Sequence, residues 1–219
     1  MAKTTAPLLS FGGSGAIAKT QVYASWRGVQ YARRYVVPSN PRSNEQTSTR
    51  SVFGWLNAVW KVLNSNGQAP WFLYAKGRPF TDRNAFIQKN LANLRGTTLV
   101  PVVDISDLTI SPGANAGLAA VSLVLADATG HHITATLAAP DLPDGWAIVK
   151  AHAFGFMQQD AHTDQDYNSV YAFDATDPYV PNLNMGAAGD FVVSAFFEYT
   201  KPDGSTAYSP SITDVITIA

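Results

Sequence analysis

Cysteine is absent from the 219 residues. Disulfide scaffolds, thiolate zinc sites and cysteine nucleophiles are therefore excluded. Glutamate is nearly absent too, with Glu45 and Glu198 the two in the chain. A catalytic carboxylate pair would have to come from aspartates in loops, and nothing in their spacing specifies one. No Gly-x-Ser-x-Gly elbow, P-loop or His-Glu-x-x-His motif occurs. Charged residues are 14% of the chain, well under the usual share of about 25%. Long apolar runs are also missing. Leu118 to Ala128 and Phe191 to Tyr199 fall far short of the roughly 20 residues a spanning helix needs. Met1 to Thr20 has no continuous apolar stretch of the secretory kind, so the expectation is a soluble chain made in the cytoplasm, with no membrane partner.

What is present is a core-forming composition with an uneven distribution of charge. Hydrophobic residues make up 46%, enough for a packed interior. Residues 1–96 hold thirteen Lys and Arg against Glu45 and Asp82, a surplus of eleven positive charges. Residues 97–219 hold Lys150 and Lys201 against thirteen Asp and Glu198, a surplus of twelve negative charges. The net charge of −1 conceals two oppositely charged halves, so each half is read separately.

Hydrophobic periodicity changes at the same place as the charge. Leu8 to Gly15 is a small-residue segment that cannot bury enough surface to order itself. Ala18 to Val37 is rich in β-formers and interrupted by Arg27-Gly28, which predicts two extended segments joined near Gly28. Pro38 and Pro41 end regular structure there. Phe53, Leu56, Trp60 and Leu63 recur at helical spacing, so a helix is expected from about Ser43 to Asn64, with Gly67 as a left-handed cap. A short second helix should hold Pro70 in its first turn, and a third should run from Thr81 or Asp82 to about Leu94. Trp60, Trp71 and Phe86 read as the core of this helical unit. Beyond it, about seven strand-like segments between Leu99 and Ile218 are separated by turn signals. Pro202-Asp203-Gly204-Ser205 is the clearest hairpin among them. The expected fold class is α+β: an extended arm or hairpin over residues 1–40, a helical unit over 41–96, and an all-β immunoglobulin-like sandwich over 97–219.

Three constellations could carry chemistry or binding. His152 with Asp160, His162, Asp164 and Asp166 alternates imidazole and carboxylate as a metal site would. An aspartate-rich solvated loop explains the same spacing, and no glycine or distal glutamate completes a calcium loop, so no metal ion or cofactor is expected. His131-His132 follows a turn and reads as strand placement. The third constellation is the basic arm, where Arg27, Arg33, Arg34 and Arg42 interleave with Trp26, Tyr31 and Tyr35. Arginines on phosphates and aromatics on bases would suit nucleic acid. Arginine, tyrosine and tryptophan also dominate protein interfaces. No helix-turn-helix, zinc or RNA-recognition signature supports the first use. The arm is therefore read as partner-binding, with nucleic acid the less favoured partner. Trp146, Tyr171, Tyr179 and Tyr208 could line a sugar site if they face outward together.

Gly15-Ala16-Ile17-Ala18-Lys19-Thr20, Tyr23, Trp26-Arg27-Gly28, Tyr31, Arg33 and Pro38-x-Asn40-Pro41-Arg42 open the chain. A helix with Gln46, Arg50 and Phe53 follows, then Trp71, Ala75 and Gly77. Over roughly residues 15–95 this pattern resembles a family of uncharacterised phage and prophage proteins. The second half is similar to fibronectin type III and other immunoglobulin-like modules. The resemblance implies a non-enzymatic structural subunit of a tailed bacteriophage virion, synthesised in the host cytoplasm. Such a subunit would sit in the neck, tail or baseplate, or serve as a capsid accessory. Its partners would be copies of itself and other virion proteins, and it would be oligomeric in the assembly. A host-surface or carbohydrate-binding module and a DNA-contacting packaging accessory are the alternatives.

Overall fold

A computed structural model describes residues 3–4, 13–26, 29–37, 39, 42–94, 107–113, 118–157 and 169–218. The chain divides into two compact units, Met1–Arg42 and Ser43–Ala219. The fold is α+β, with antiparallel strand pairing in every sheet.

The first unit is a four-stranded meander of β1 (Lys3–Thr4), β2 (Gly13–Ile17), β3 (Gln21–Trp26) and β4 (Val29–Arg34), paired in sequence order. The expected pair of extended segments is the β3–β4 hairpin, with Trp26 opposite Val29; Arg27 and Gly28 themselves lie outside the described residues. The small-residue segment differs from its sequence reading. Gly13–Ile17 forms β2, which pairs with β3 through Gly15 opposite Tyr23 and Ile17 opposite Gln21. Backbone pairing orders a segment whose side chains have little to bury.

The second unit begins with three capped helices. Ser43 caps α1 (Asn44–Val62) by accepting the Gln46 amide at 3.4 Å, and Glu45 and Lys61 complement the helix dipole at its two ends. Asn64 accepts the Gly67 amide at 3.1 Å and starts α2 (Ser65–Ala75). Gly67 is therefore inside a helix, not a left-handed cap, and the second helix starts ahead of Pro70 by more than a turn. Thr81 caps α3 (Asp82–Asn93). On α1 the buried stripe is Val52, Trp55, Leu56, Val59 and, just past its end, Leu63, while Phe53 is 48% exposed. The period is helical as expected, but the buried face is rotated off Phe53. Trp71 and Phe86 are fully buried with ring centroids 5.4 Å apart, and Trp60 packs on Phe86 at 5.3 Å.

Two sheets complete this unit. The smaller has the order β5 (Ser122–Ala128), β6 (His132–Ala138), β9 (Asn182–Asn184). The larger runs β8 (Ser169–Asp174), β7 (Ala147–Met157), β10 (Gly189–Thr200), and β10 pairs beyond that with β11 (Thr206–Tyr208) and β12 (Ile212–Ile218). The predicted hairpin links β10 to β11, closed by the Lys201 amide donating to Ser205 O at 2.9 Å.

The larger sheet is buried on both faces. One face of β7 and β10, through Phe154, Phe156, Val192 and Phe196, belongs to the same core as Leu56, Trp71 and Phe86. The other face, through Ala151, Ala153, Val193, Ala195 and Phe197, shares a core with Ile133, Leu137 and Leu183 of the smaller sheet. The layers are helices, larger sheet, smaller sheet. Packing runs across the change of element type at residues 96–97: Trp71 Nε1 donates to Ile110 O at 2.6 Å. Each fully buried Phe contributes about 1.5–3 kcal/mol by leaving water, so the shared core ties helices and strands into one cooperative body.

Candidate functional site

The N-terminal sheet is the region where the sequence reading placed partner contacts. Residues directly opposite across antiparallel strands share a face. Arg33 opposite Val22 and Tyr31 opposite Ala24 therefore lie on one face, and Arg34 opposite Gln21 and Ala32 opposite Tyr23 on the other. The two adjacent arginines of β4 project to opposite sides of the sheet. Tyr31 is 42% exposed, Arg33 and Arg34 are exposed, and Tyr35, just past the strand, is half-buried with its amide donating to Thr20 O at 2.8 Å. Arg42 is exposed and has φ +49°. Trp26 is placed by its backbone in β3, and Arg27 lies outside the described residues. A cleft of about 330 Å³ is lined by Thr20, Gln21, Ala32, Arg33 and Arg34.

Within Met1–Arg42, none of residues 15–24, 31–37, 39 and 42 is buried. The same unit has six Lys and Arg and no Asp or Glu. Among the described residues, no ion pair involves Arg33, Arg34 or Arg42. β4 is a sheet edge, with no further strand beyond it among the described residues. Such an edge offers free backbone amides and carbonyls to an incoming strand.

A second polar cluster, not anticipated as a unit, lies between α2 and the larger sheet. His152 on β7 is 1% exposed. Its Nε2 is 3.0 Å from Glu198 Oε2 on β10, and its Nδ1 is 2.8 Å from the Tyr171 hydroxyl on β8. Asn66 of α2 donates to that hydroxyl at 2.9 Å. These partners assign the neutral ring proton to Nε2, donating to the carboxylate, while Tyr171 donates to Nδ1. His152 also stacks on Phe196 at 5.1 Å between centroids. Burial holds the imidazole below its ordinary pKa of 6.5, partly opposed by Glu198. Burial also pushes the Tyr171 hydroxyl up. Both ring nitrogens are engaged and the ring is out of solvent, so the arrangement clamps three strands to a helix and leaves no nitrogen open to a metal ion. The sequence signal for this cluster was weak, since its members are separated by up to 132 positions between Asn66 and Glu198.

The remaining singled-out residues disperse. Asp160, His162, Asp164 and Asp166 lie outside the described residues. Among the described residues no three His, Asp or Glu side chains gather as metal ligands would. His132 Nδ1 is 2.9 Å from Asn182 Oδ1, and His131 sits in the preceding turn with φ +60°. Trp146 and Tyr179 pack on the core between the two sheets, whereas Tyr171 and Tyr208 pack on the core under the helices. The four aromatics therefore flank opposite faces of the larger sheet and form no common outward cluster. No described helix is long and apolar enough to cross a membrane.

No protein-family model matches the sequence, and no curated protein matches it. A solved structure with partial likeness is a polysaccharide deacetylase from Bacillus cereus, 15% identical, with a TM-score of 0.28 over 45% of this chain and 29% of that chain. A likeness at that score carries no argument about fold or activity.

Proposed function

We propose that the chain is a non-enzymatic structural subunit of a tailed bacteriophage virion, and that its N-terminal sheet is the part that joins it to neighbouring subunits. One observation carries this reading: a four-stranded sheet in a 42-residue unit where none of residues 15–24, 31–37, 39 and 42 is buried and no acidic residue occurs. A sheet needs an apolar face packed against something to be stable in water. A unit this small rarely supplies its own core. Arg33, Arg34, Tyr31 and Tyr35 are of the types that anchor protein interfaces, with Trp26, Arg27 and Arg42 in the same unit. The sequence pattern over residues 15–95 supplies the phage assignment.

The second unit is the outward module in this reading. Its strand order supports an immunoglobulin-like arrangement of the fibronectin type III kind. Counted from β5, the first, second and fifth strands make one sheet, and the third, fourth, sixth, seventh and last make the other. Helices cover the face of the larger sheet that would otherwise be open.

The test is made on particles. Virions purified on gradients from the source host should contain the chain at a fixed ratio to the major structural proteins by mass spectrometry. Arg33→Ala combined with Arg34→Ala should reduce incorporation while circular dichroism of the free chain is unchanged. Particles that form normally and contain none of the chain reject the reading. Salt-sensitive retention of duplex DNA by the free chain, lost in the double variant, would move the basic sheet to a packaging role.

A further inference from the structure

Four aspartates of the second unit stand on connections at one end of its sheets. The β6–β7 loop carries Asp141 and Asp144, and the β10–β11 turn carries Asp203; all three are exposed. These two connections meet at one end of the sheets. Ala147 at the start of β7 is opposite Thr200 at the end of β10, and a Cβ built on Gly145 would stand 3.0 Å from Pro202. The β8–β9 connection, with exposed Asp177, leaves from the same end, since β8 runs antiparallel to β7 and finishes at Asp174 opposite Ala151. Among the described residues none of these four aspartates forms an ion pair. The Lys201 ammonium, nearest to them in sequence, lies over the Trp146 ring at 5.8 Å. The same chain thus presents an acidic loop end and, in its other unit, a basic sheet without a core.

We infer that the N-terminal sheet docks on the acidic loop end of a second copy of this chain, in a head-to-tail contact. This rests on the assembly role proposed above and names the partner surface. The occupant follows from charge complementarity. The unit needing cover has six cations and no anion, and Ser43–Ala219 holds nine Lys and Arg against sixteen Asp and Glu. Copies joined basic sheet to acidic end set opposite charges against one another, whereas contacts between like ends repel. A head-to-tail contact closes into a ring when its rotation divides a full turn and otherwise extends as a filament.

The experiment is a charge exchange in the full chain, read by sedimentation velocity over a concentration series. Wild type should self-associate. Arg33→Glu with Arg34→Glu should weaken association about tenfold or more, and so should Asp141→Lys with Asp144→Lys, both through repulsion at the contact. Mixing the two variants should restore assembly, because each basic surface then meets an acidic one in strict alternation. The acidic-end variant changes only exposed loop side chains, so it remains informative should the sheet variant misfold. Restoration in the mixture alone supports the inference. A wild type that stays monomeric, an acidic-end variant that assembles normally, or a mixture that stays dissociated each overturns it. In those cases incorporation of the chain into virions still stands or falls by the particle experiment, so the two failures are told apart.

Discussion

Asn90 is wholly buried on α3, and its amide does the work of a missing strand partner. Its Oδ1 accepts the Thr109 amide at 2.7 Å, and its Nδ2 donates to Thr109 O at 2.9 Å and to Phe86 O at 3.1 Å. Both backbone groups of one residue are satisfied by one side chain. Asn90→Leu is similar in size but strands the Thr109 amide and carbonyl, at about 1–3 kcal/mol for each buried group left unpaired. Chemical denaturation should show a fall in midpoint of that order. His152 offers a second residue-scale expectation. Its pKa is depressed in the folded state relative to 6.5. Above 6.5 the imidazole is neutral in both states and costs nothing. As pH falls below 6.5 the unfolded chain takes up a proton that the folded chain refuses, so stability drops until the folded pKa is also passed. A melting temperature measured across that window should decline with acid, and His152→Gln should flatten the decline. An unchanged slope in the variant would place the sensitivity elsewhere. Neither role was legible beforehand. A lone Asn in an amphipathic helix and a His in an apolar strand carry no spacing signal, because their partners come from distant segments.

At the scale of elements, the starts of α1 and α3 and the clearest turn were readable because their chemistry is local, whereas Gly67 was misread as a helix end. Ser43, Thr81 and the Pro202–Ser205 turn act within four residues of themselves. β9 was missed, three residues long and held by neighbours rather than by propensity. The cover on the larger sheet was legible in principle. Phe191-Val192-Val193-Ser194-Ala195-Phe196-Phe197 does not alternate, and a strand without alternation is one buried on both faces. Seven strands with turns drew attention to two facing sheets and away from the helices as a third layer. Gly67 sets the closeness of that layer. A Cβ on it would stand 2.9 Å from Leu63 Cδ2 and 3.0 Å from the Phe154 ring. Helix propensity favours Gly67→Ala by about 1 kcal/mol, while overpacking costs about 1–3 kcal/mol. The net expectation is a less stable protein, although alanine is the better helix former. A melting temperature at or above wild type would mean that Phe154 moves aside freely.

At the scale of the molecule, the two units differ in what supports them. Both hydrophobic clusters lie in Ser43–Ala219, and no residue of Met1–Arg42 with described burial belongs to either. A chain beginning at Ser43 is therefore expected to melt within about 2 °C of the full chain, a shift well under that of a single core substitution. A peptide of residues 1–42 should show little amide protection on its own, because a sheet this small rarely supplies its own core. Strong protection of Val22 to Tyr35 in a verified monomeric peptide would contradict this. The division of charge was visible in the sequence as a sum over residues. Its arrangement into a basic sheet and an acidic loop end was not, because composition does not say which loops share an end.

The core shared by helices and strands also fixes the order in which the chain can become safe to expose. Synthesis delivers α1, α2 and α3 first, yet the residues that close over Trp71 and Phe86 include Phe154 and Phe196, about a hundred positions later. Hydrogen bonds such as Ser169 Oγ to Val62 O at 2.7 Å span the same gap. Until β7 and β10 emerge from the ribosome, the cover over the helices is incomplete, and part of their aromatic stripe is open to other hydrophobic surfaces in the cell. Contacts this distant in sequence make folding slow and the nascent helices prone to aggregation. The helices are made early and covered late, by two strands that follow them at long range.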